Sequence, residues 1–197
     1  GPSGYQNYKT TNPATGNVTS EGEQIGNYYA GIQSGSSNFL SSISALINPH
    51  TSISYYNYLT TMLNQYEVRD TTNGQSYVVC VYSGERKVFN DPFTWTSTGY
   101  SREHTYSHSW MPTFPCDNPE QPEYNDQHNL WPTNLQQANT HRSNLPLMDI
   151  DGNVVFTYLG GRVGYSGNQL VYEPRPEQKG NAARSIFYMA TCYNGQA

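Results

Sequence analysis

The chain has 197 residues, only 13% of them charged, and a formal net charge of −5. The length suffices for one domain with its own core, and no apolar run is long enough to span a bilayer. The acidic balance excludes the global basic footprint of a tight, charge-driven nucleic-acid binder, but not a local basic patch or a metal-dependent site.

Residues 1–22 are rich in Gly, Ser, Thr and Asn and are expected to form a loop-like segment ahead of the folded domain, 23–197. Ser36-Ser37 can cap a helix running to about Ile47, with Phe39, Leu40, Ile43, Leu46 and Ile47 on one face. A second helix is predicted from Ser54 to Tyr66, with Tyr55, Leu59, Met62 and Leu63 inward. The run Tyr77 to Tyr82 reads as a strand ended by Ser83-Gly84. From Asn90 to Gly99 the chain is polar and reads as irregular, and an extended piece then delivers Glu103 and His104. Four prolines between Trp110 and Glu123 require a long loop. Pro132 with Thr133 or Asn134 is expected to open a helix of roughly ten residues, stopped by Asn144 and Pro146. Asp151-Gly152 is a hairpin signal before a strand at Val154–Tyr158, and a Gly-rich loop is expected through Gly167. Pro174 and Pro176 precede a C-terminal helix to about Tyr193, with Ala183, Ile186 or Phe187, and Ala190 as its inward stripe. The mixture is α+β, with helices at both ends of the chain.

The three cysteines show no zinc-type spacing and allow at most one disulfide. Cys80 lies in an apolar strand and is expected as a buried thiol. If a disulfide forms, Cys116 with Cys192 is the pair it would join, and the sequence leaves open whether it does. Low charge, few lysines and 18 tyrosines among many small polar residues suit an extracellular protein. The Gly1-Pro2 start reads as the remnant of a protease cut, so the lack of a visible leader carries no information.

Two segments carry chemistry: Arg102-Glu103-His104, and the stretch from Asn125 to Asn144. Hydrolysing a phosphodiester requires deprotonating a water, neutralising charge on the phosphoryl oxygens and protonating the leaving oxygen. His104 titrates in the right range for a base. Mg²⁺ takes oxygen ligands and keeps several waters, so the Glu103 carboxylate and the Asn139 amide oxygen could suffice to hold it. Arg102, Arg142 and Arg184 are candidates to brace the phosphate bidentately. Each residue also has a plainer reading. A Glu-His dipeptide is common. Asn139 could be a capping or loop-binding Asn, although an amide beside the apolar Leu135 and Ala138 needs a partner. Asp126 and His128 read as hydrogen-bonded support, and His108 and His141 as surface residues. Trp95, Tyr106, Trp110 and Trp131 could stack bases or simply pack.

Taken in order, these blocks resemble the bacterial endonuclease I family. Tyr28-Tyr29, the helix near Leu40 to Ile47 and His50 to Leu59 are similar to the family's N-terminal helical part, and Val81-Tyr82-Ser83-Gly84 to the strand and turn that follow. Arg102-Glu103-His104 with Ser109-Trp110, Asp126 through Pro132, and Asn139 with Arg142-Ser143-Asn144 resemble its three central blocks. Tyr172-Glu173-Pro174, Lys179-Gly180, Ala183-Arg184 and Phe187-Tyr188-Met189 resemble the block of the C-terminal helix. The resemblance implies a ββα-metal core, short antiparallel strands plus a metal-binding helix, wrapped by N- and C-terminal helices. It implies His104 as general base, and Glu103 and Asn139 as ligands of one Mg²⁺ that Mn²⁺ or Ca²⁺ can replace. It further implies a secreted or periplasmic bacterial enzyme that cuts DNA, and often RNA, with little sequence preference and without a membrane partner; a monomer is expected. Two departures stand out. The helix bearing Asn139 carries one more residue after Pro132 than in some members. An acidic residue that some members place two positions before Asp126 is Tyr124 here, with Glu123 one position earlier. Two rivals follow from the residues alone: a non-catalytic extracellular module that binds glycans or surfaces through Tyr and Trp, and a degenerate nuclease that only binds nucleic acid. The first fits the composition equally well but not the ordered blocks. Intact Glu103, His104 and Asn139 argue against the second.

Overall fold

The computed structural model describes residues 28–48, 50–70, 73–115 and 121–193. The expected N-terminal loop with its boundary at 22/23 falls on residues outside these, and so does Cys116, one half of the Cys116–Cys192 pair. The chain divides into two units, residues 1–50 and 51–197. Among the described residues no helix is long and apolar enough to cross a membrane.

In the first unit, helix α1 spans Phe39–Ile47. It starts one residue later than Ser36-Ser37 suggested. Asn38 precedes it without a side-chain cap bond, while Ser36 Oγ accepts from the Asn38 amide.

The second unit opens with Ser54 capping a 3₁₀ turn, Tyr55–Asn57, by accepting from the Tyr56 amide. A π-helical stretch follows over Leu59–Glu67. The helix expected at 54–66 is therefore present but wider than an α-helix, and its inward residues include Leu63 and the fully buried Tyr58. Strands β1 (Arg69–Asp70), β2 (Ser76–Val79) and β3 (Arg86–Phe89) form an antiparallel sheet in that order. The strand predicted to reach Tyr82 stops at Val79, because Cys80 turns back to bond Glu85 and Gly84. The segment read as irregular holds a one-turn helix, α2 (Trp95–Thr98), capped by Thr94 and closed by Gly99 at φ 71°.

Strand β4 (Tyr100–His104) is where the sequence predicted an extended piece. After the short helix α3 (Pro122–Asn125) and a 3₁₀ turn (Gln127–Asn129), strand β5 (Leu130–Asn134) pairs antiparallel with β4, Glu103 opposite Trp131 and His104 opposite Leu130. This corrects the reading of Pro132 and Thr133 as a helix start. Pro132 faces Arg102 across the ribbon, lacks the N–H it would otherwise donate, and offers its carbonyl to the Val81 amide. The helix begins after Asn134, whose side chain accepts from the Gln137 amide. It runs as a π turn, Leu135–Asn139, then as helix α4, Thr140–Arg142. It ends at Ser143, before Asn144 and Pro146 can stop it.

Strand β6 (Val154–Tyr158) occupies the predicted residues. The Gly-rich run expected as a loop is instead strand β7 (Gly161–Ser166), central between β6 and β8 (Gln169–Glu173). Its glycines mark close approach. A Cβ on Gly161 would overlap the Tyr172 hydroxyl, and one on Gly164 would meet the Asn153 carbonyl at 2.7 Å. Helix α5 (Pro176–Cys192) closes the described chain. Its buried stripe is Gln178, Ala182, Ser185, Met189 and Cys192, one step round from the predicted face, and Phe187 is 71% exposed. The core beneath these elements is rich in aromatics: Tyr58, Tyr82, Phe89, Phe93, Tyr100 and Tyr172 pack with Leu63, Val78, Cys80, Leu130 and Ala138.

Candidate active site

Strand alternation sorts the residues of β4. Ser101 and Glu103 point to one face, Arg102 and His104 to the other. The helix after β5 crosses the first face: Asn139 Nδ2 donates to Ser101 Oγ at 2.8 Å. That bond leaves the Asn139 amide oxygen available. Glu103 is buried, and its Oε1 accepts from Arg142 Nη1 at 3.1 Å and from Tyr82 OH at 3.4 Å. Its Oε2 has no hydrogen-bond partner among the described residues. Burial pushes the Glu103 carboxyl up to about 7, against the pull of Arg142 in the other direction. Two hard oxygens, one from a carboxylate and one from an amide, thus lie on one face without committed donors. This donor set fits Mg²⁺ or another hard cation and would suit a soft metal poorly.

His104, at the end of the strand, is buried between rings. It stacks on Tyr55 with centroids 5.2 Å apart and planes at 10°, and Tyr124 packs at 4.8 Å. Its Nε2 lies 2.7 Å from the Tyr124 carbonyl oxygen. A carbonyl only accepts, so Nε2 carries the proton and Nδ1 keeps its lone pair. Burial lowers the imidazole to about 4, so the ring is neutral at physiological pH. The chain beyond His104 is held by Asn129, whose amide accepts from the Tyr106 N–H at 2.6 Å and donates to the Tyr106 carbonyl at 3.0 Å, extending the ladder as a strand would.

Glu103 and His104 meet at a cleft of about 280 Å³ whose other walls are Ser107, His108, Ser109, Arg142, Ser143 and Asn144. Asn139 is not among the lining residues. Of the three candidate arginines, Arg142 forms the floor of this cleft and is 0% exposed. Arg102 lies on the His104 face with its guanidinium 4.2 Å over the Tyr55 ring and 5.1 Å from Trp95. Arg184 stands exposed on α5, bonded to Asn181, away from the cleft walls.

Asp126 and His128 form a separate brace. Asp126 caps the 3₁₀ turn through the His128 amide and also accepts from His128 Nδ1, both at 3.0 Å. Its second oxygen accepts from Tyr188 OH at 2.9 Å and Tyr193 OH at 2.8 Å, tying α5 to the strand that follows. Burial would raise the Asp126 carboxyl, but these donors outweigh it and hold the carboxyl below its ordinary range. The bond to Asp126 raises His128. Ser185 on α5 donates to the His128 carbonyl and accepts from Trp131 Nε1.

Sequence reasoning missed Tyr55, Tyr82, Ser107, Tyr124 and Asn129 as parts of this site. A stack or a carbonyl contact leaves no spacing signal, and Tyr124 acts through its backbone. Tyr124 stood out only as replacing an acidic residue of some members, and Asn129 had a cue as an amide inside the block that ends at Pro132, which needs a polar partner once buried.

Neither the curated proteins nor the solved structures yield a match to this chain. The Endonuclease I family model matches residues 36–197. With Glu103, His104 and the Asn139 helix assembled within that span, the chain belongs to the Endonuclease I family, a family of metal-dependent nucleases.

Proposed function

We propose that the protein is a secreted bacterial endonuclease, acting as a monomer, that hydrolyses DNA, and RNA as well, with little sequence preference. Glu103 Oε2 and the Asn139 amide oxygen would hold one Mg²⁺ on the shared face of the β4–β5 ribbon and the helix after it, the arrangement a ββα-metal site requires. When bound, such a cation neutralises charge building on the phosphoryl oxygens and assists the leaving oxygen. His104 Nδ1 takes a proton from the attacking water, and the Tyr124 carbonyl holds the ring by Nε2 so that Nδ1 stays in the accepting tautomer. Water attacks directly, without a covalent enzyme intermediate. Arg102, on the His104 face and not fully buried, is the candidate for bracing the phosphate, with Arg184 the alternative.

The observation that carries this reading is the neutral His104, fixed by the Tyr124 carbonyl, beside a carboxylate with one uncommitted oxygen in the same cleft. A single-metal site is supported because, among the described residues, no trio of His, Cys or carboxylate ligands converges at Glu103. The test is plasmid nicking with Mg²⁺ and with EDTA. Nicking that EDTA abolishes is expected. Retention of DNA or of glycans without cleavage in Mg²⁺ would favour a binding module instead.

A further inference from the structure

Arg142 belongs to the Arg-Ser-Asn block, and an arginine in a nuclease site suggests a phosphate contact. Its surroundings point elsewhere. The side chain is fully buried, and its acceptors all belong to the protein. Nη1 approaches Glu103 Oε1 at 3.1 Å, the Ser143 carbonyl at 2.9 Å, the His104 carbonyl at 3.4 Å and, closest, Ser107 Oγ. Nη2 donates to the Thr105 carbonyl at 2.6 Å. The two hydrogens on Nη1 are shared among four acceptors, and the Trp110 ring closes off the guanidinium at 5.1 Å. Among the described residues Nε alone has no partner, and it is buried; a phosphate arriving in the cleft would have to displace the bonds of the Nη1–Nη2 fork, which is already committed.

These acceptors fall on two segments that the site must hold in register: the end of β4 and its continuation, residues 103–107, and the end of the Asn139 helix. The helix end turns at Ser143, which has φ 48°, a left-handed conformation unusual for a residue with a Cβ. Its amide donates to the Asn139 carbonyl at 2.7 Å while its own carbonyl faces Arg142. One guanidinium thus joins the segment carrying Glu103 to the segment carrying Asn139, and it engages only one of the two Glu103 oxygens.

We infer that Arg142 is a positioning residue for the metal site: by pinning Glu103 Oε1 it presents Oε2 to the cation on the side where Asn139 offers its amide oxygen, and it does not bind substrate. This rests on the nuclease reading above, in which Glu103 and Asn139 are ligands. The conservative change Arg142→Lys keeps the charge and loses the fork.

The test is Mn²⁺ binding to the whole chain without nucleic acid, read from the free-ion resonance signal, for wild type, Arg142→Lys and Tyr82→Phe. Thermal melts and nicking kinetics across a Mn²⁺ series accompany it. For folded Arg142→Lys the Mn²⁺ Kd should weaken by at least about tenfold, with kcat at saturating Mn²⁺ returning to within about fivefold of wild type. Wild-type Mn²⁺ affinity combined with a large loss of kcat would make Arg142 a phosphate contact, and unchanged affinity with unchanged kcat would leave it purely structural. Either result overturns the inference. Should Arg142→Lys melt below the assay temperature, Tyr82→Phe reads the same point. With Arg142 intact, losing the longer Tyr82 bond should shift the Mn²⁺ Kd by less than about threefold. A larger shift would hand the positioning role to Tyr82. Wild type that neither binds Mn²⁺ nor nicks DNA would instead overturn the nuclease reading itself.

Discussion

Replacing His104 with Ala removes the proposed base and leaves both proposed ligands in place. A positioned base contributes on the order of 10²- to 10⁴-fold, which is about 2.7–5.4 kcal/mol of barrier at 1.36 kcal/mol per decade. The structure also sets the folding cost. The variant loses one hydrogen bond to the Tyr124 carbonyl, worth about 1 kcal/mol. It also loses the ring contacts with Tyr55 and Tyr124, worth about 0.5–1.5 kcal/mol each. At about 2–4 °C per kcal/mol for a chain of this size, the melting temperature should fall by roughly 4–16 °C. The enzyme would therefore stay folded at a moderate assay temperature. Plasmid nicking at saturating Mg²⁺, well below the variant's melt, should show at least a hundredfold loss. The pH profile adds a second check. His104 is held down to about 4, so its basic form persists far below the ordinary imidazole value. The acid limb of wild-type kcat/KM at saturating Mg²⁺ should lie near 4 and not near 6.5, and should vanish in the variant's residual activity. A folded His104→Ala enzyme cutting within about threefold of wild type would refute the role.

Three further outcomes are expected. Glu103→Gln and Asn139→Ala should each weaken Mn²⁺ binding by at least about tenfold, as removing one of two protein ligands demands, and anomalous scattering from Mn²⁺-soaked crystals should show one strong peak between the two wild-type side chains. Because burial holds the Glu103 carboxyl up near 7, a proton competes with the cation below that pH: calorimetric Mn²⁺ Kd should rise about tenfold per pH unit as pH falls below 7 and level off above it. Asp126→Asn should cost about 2–4 kcal/mol, since it weakens several charge-assisted bonds at once, read by urea unfolding. The lowered Asp126 adds stability above its ordinary value of 3.8 and loses it as pH falls through the depressed one, while the raised His128 adds stability below 6.5 and loses it as pH rises; wild-type stability should therefore peak between these values and the variant's curve should be flatter.

What the residues say of the candidate site they say because its proposed chemistry is local. Glu103 and His104 are adjacent in a strand of alternating character, and the polar Asn139 on a helix that also buries Ala138 required a partner. The errors arose where tertiary context overrode local rules. Pro132 follows the rule for a helix start, yet here it pairs in a ribbon that does not need its N–H. Gly161 and Gly164 look like loop residues until Tyr172 and Ile150 are seen to occupy the space a side chain would take. On α5 the apolar count favoured the face of Phe187, but the buried face carries Gln178 and Ser185, polar residues that hydropathy assigns to solvent, and Ser185 bonds across to the His128 carbonyl and the Trp131 indole. The hub role of Arg142 was invisible because its acceptors are mostly backbone carbonyls.

The π turn at Leu135–Asn139 has a consequence for how this chain tolerates changes of length. A turn closed by an i→i+5 bond, here from Thr140 N to the Leu135 carbonyl, accommodates one more residue than an α turn between the same two ends. The wide turn gives room for such a residue where Gln136 and Gln137 face solvent. Asn139 still reaches Ser101, and Ala138 stays in the core. The turn works as slack in the backbone: it separates the number of residues leading to Asn139 from the direction in which Asn139 points. Deleting Gln136 should tighten the turn to an α turn, leave the Asn139–Ser101 bond intact and preserve Mn²⁺ binding, whereas deleting a residue between Asn139 and Arg142 has no such slack to draw on and should abolish it.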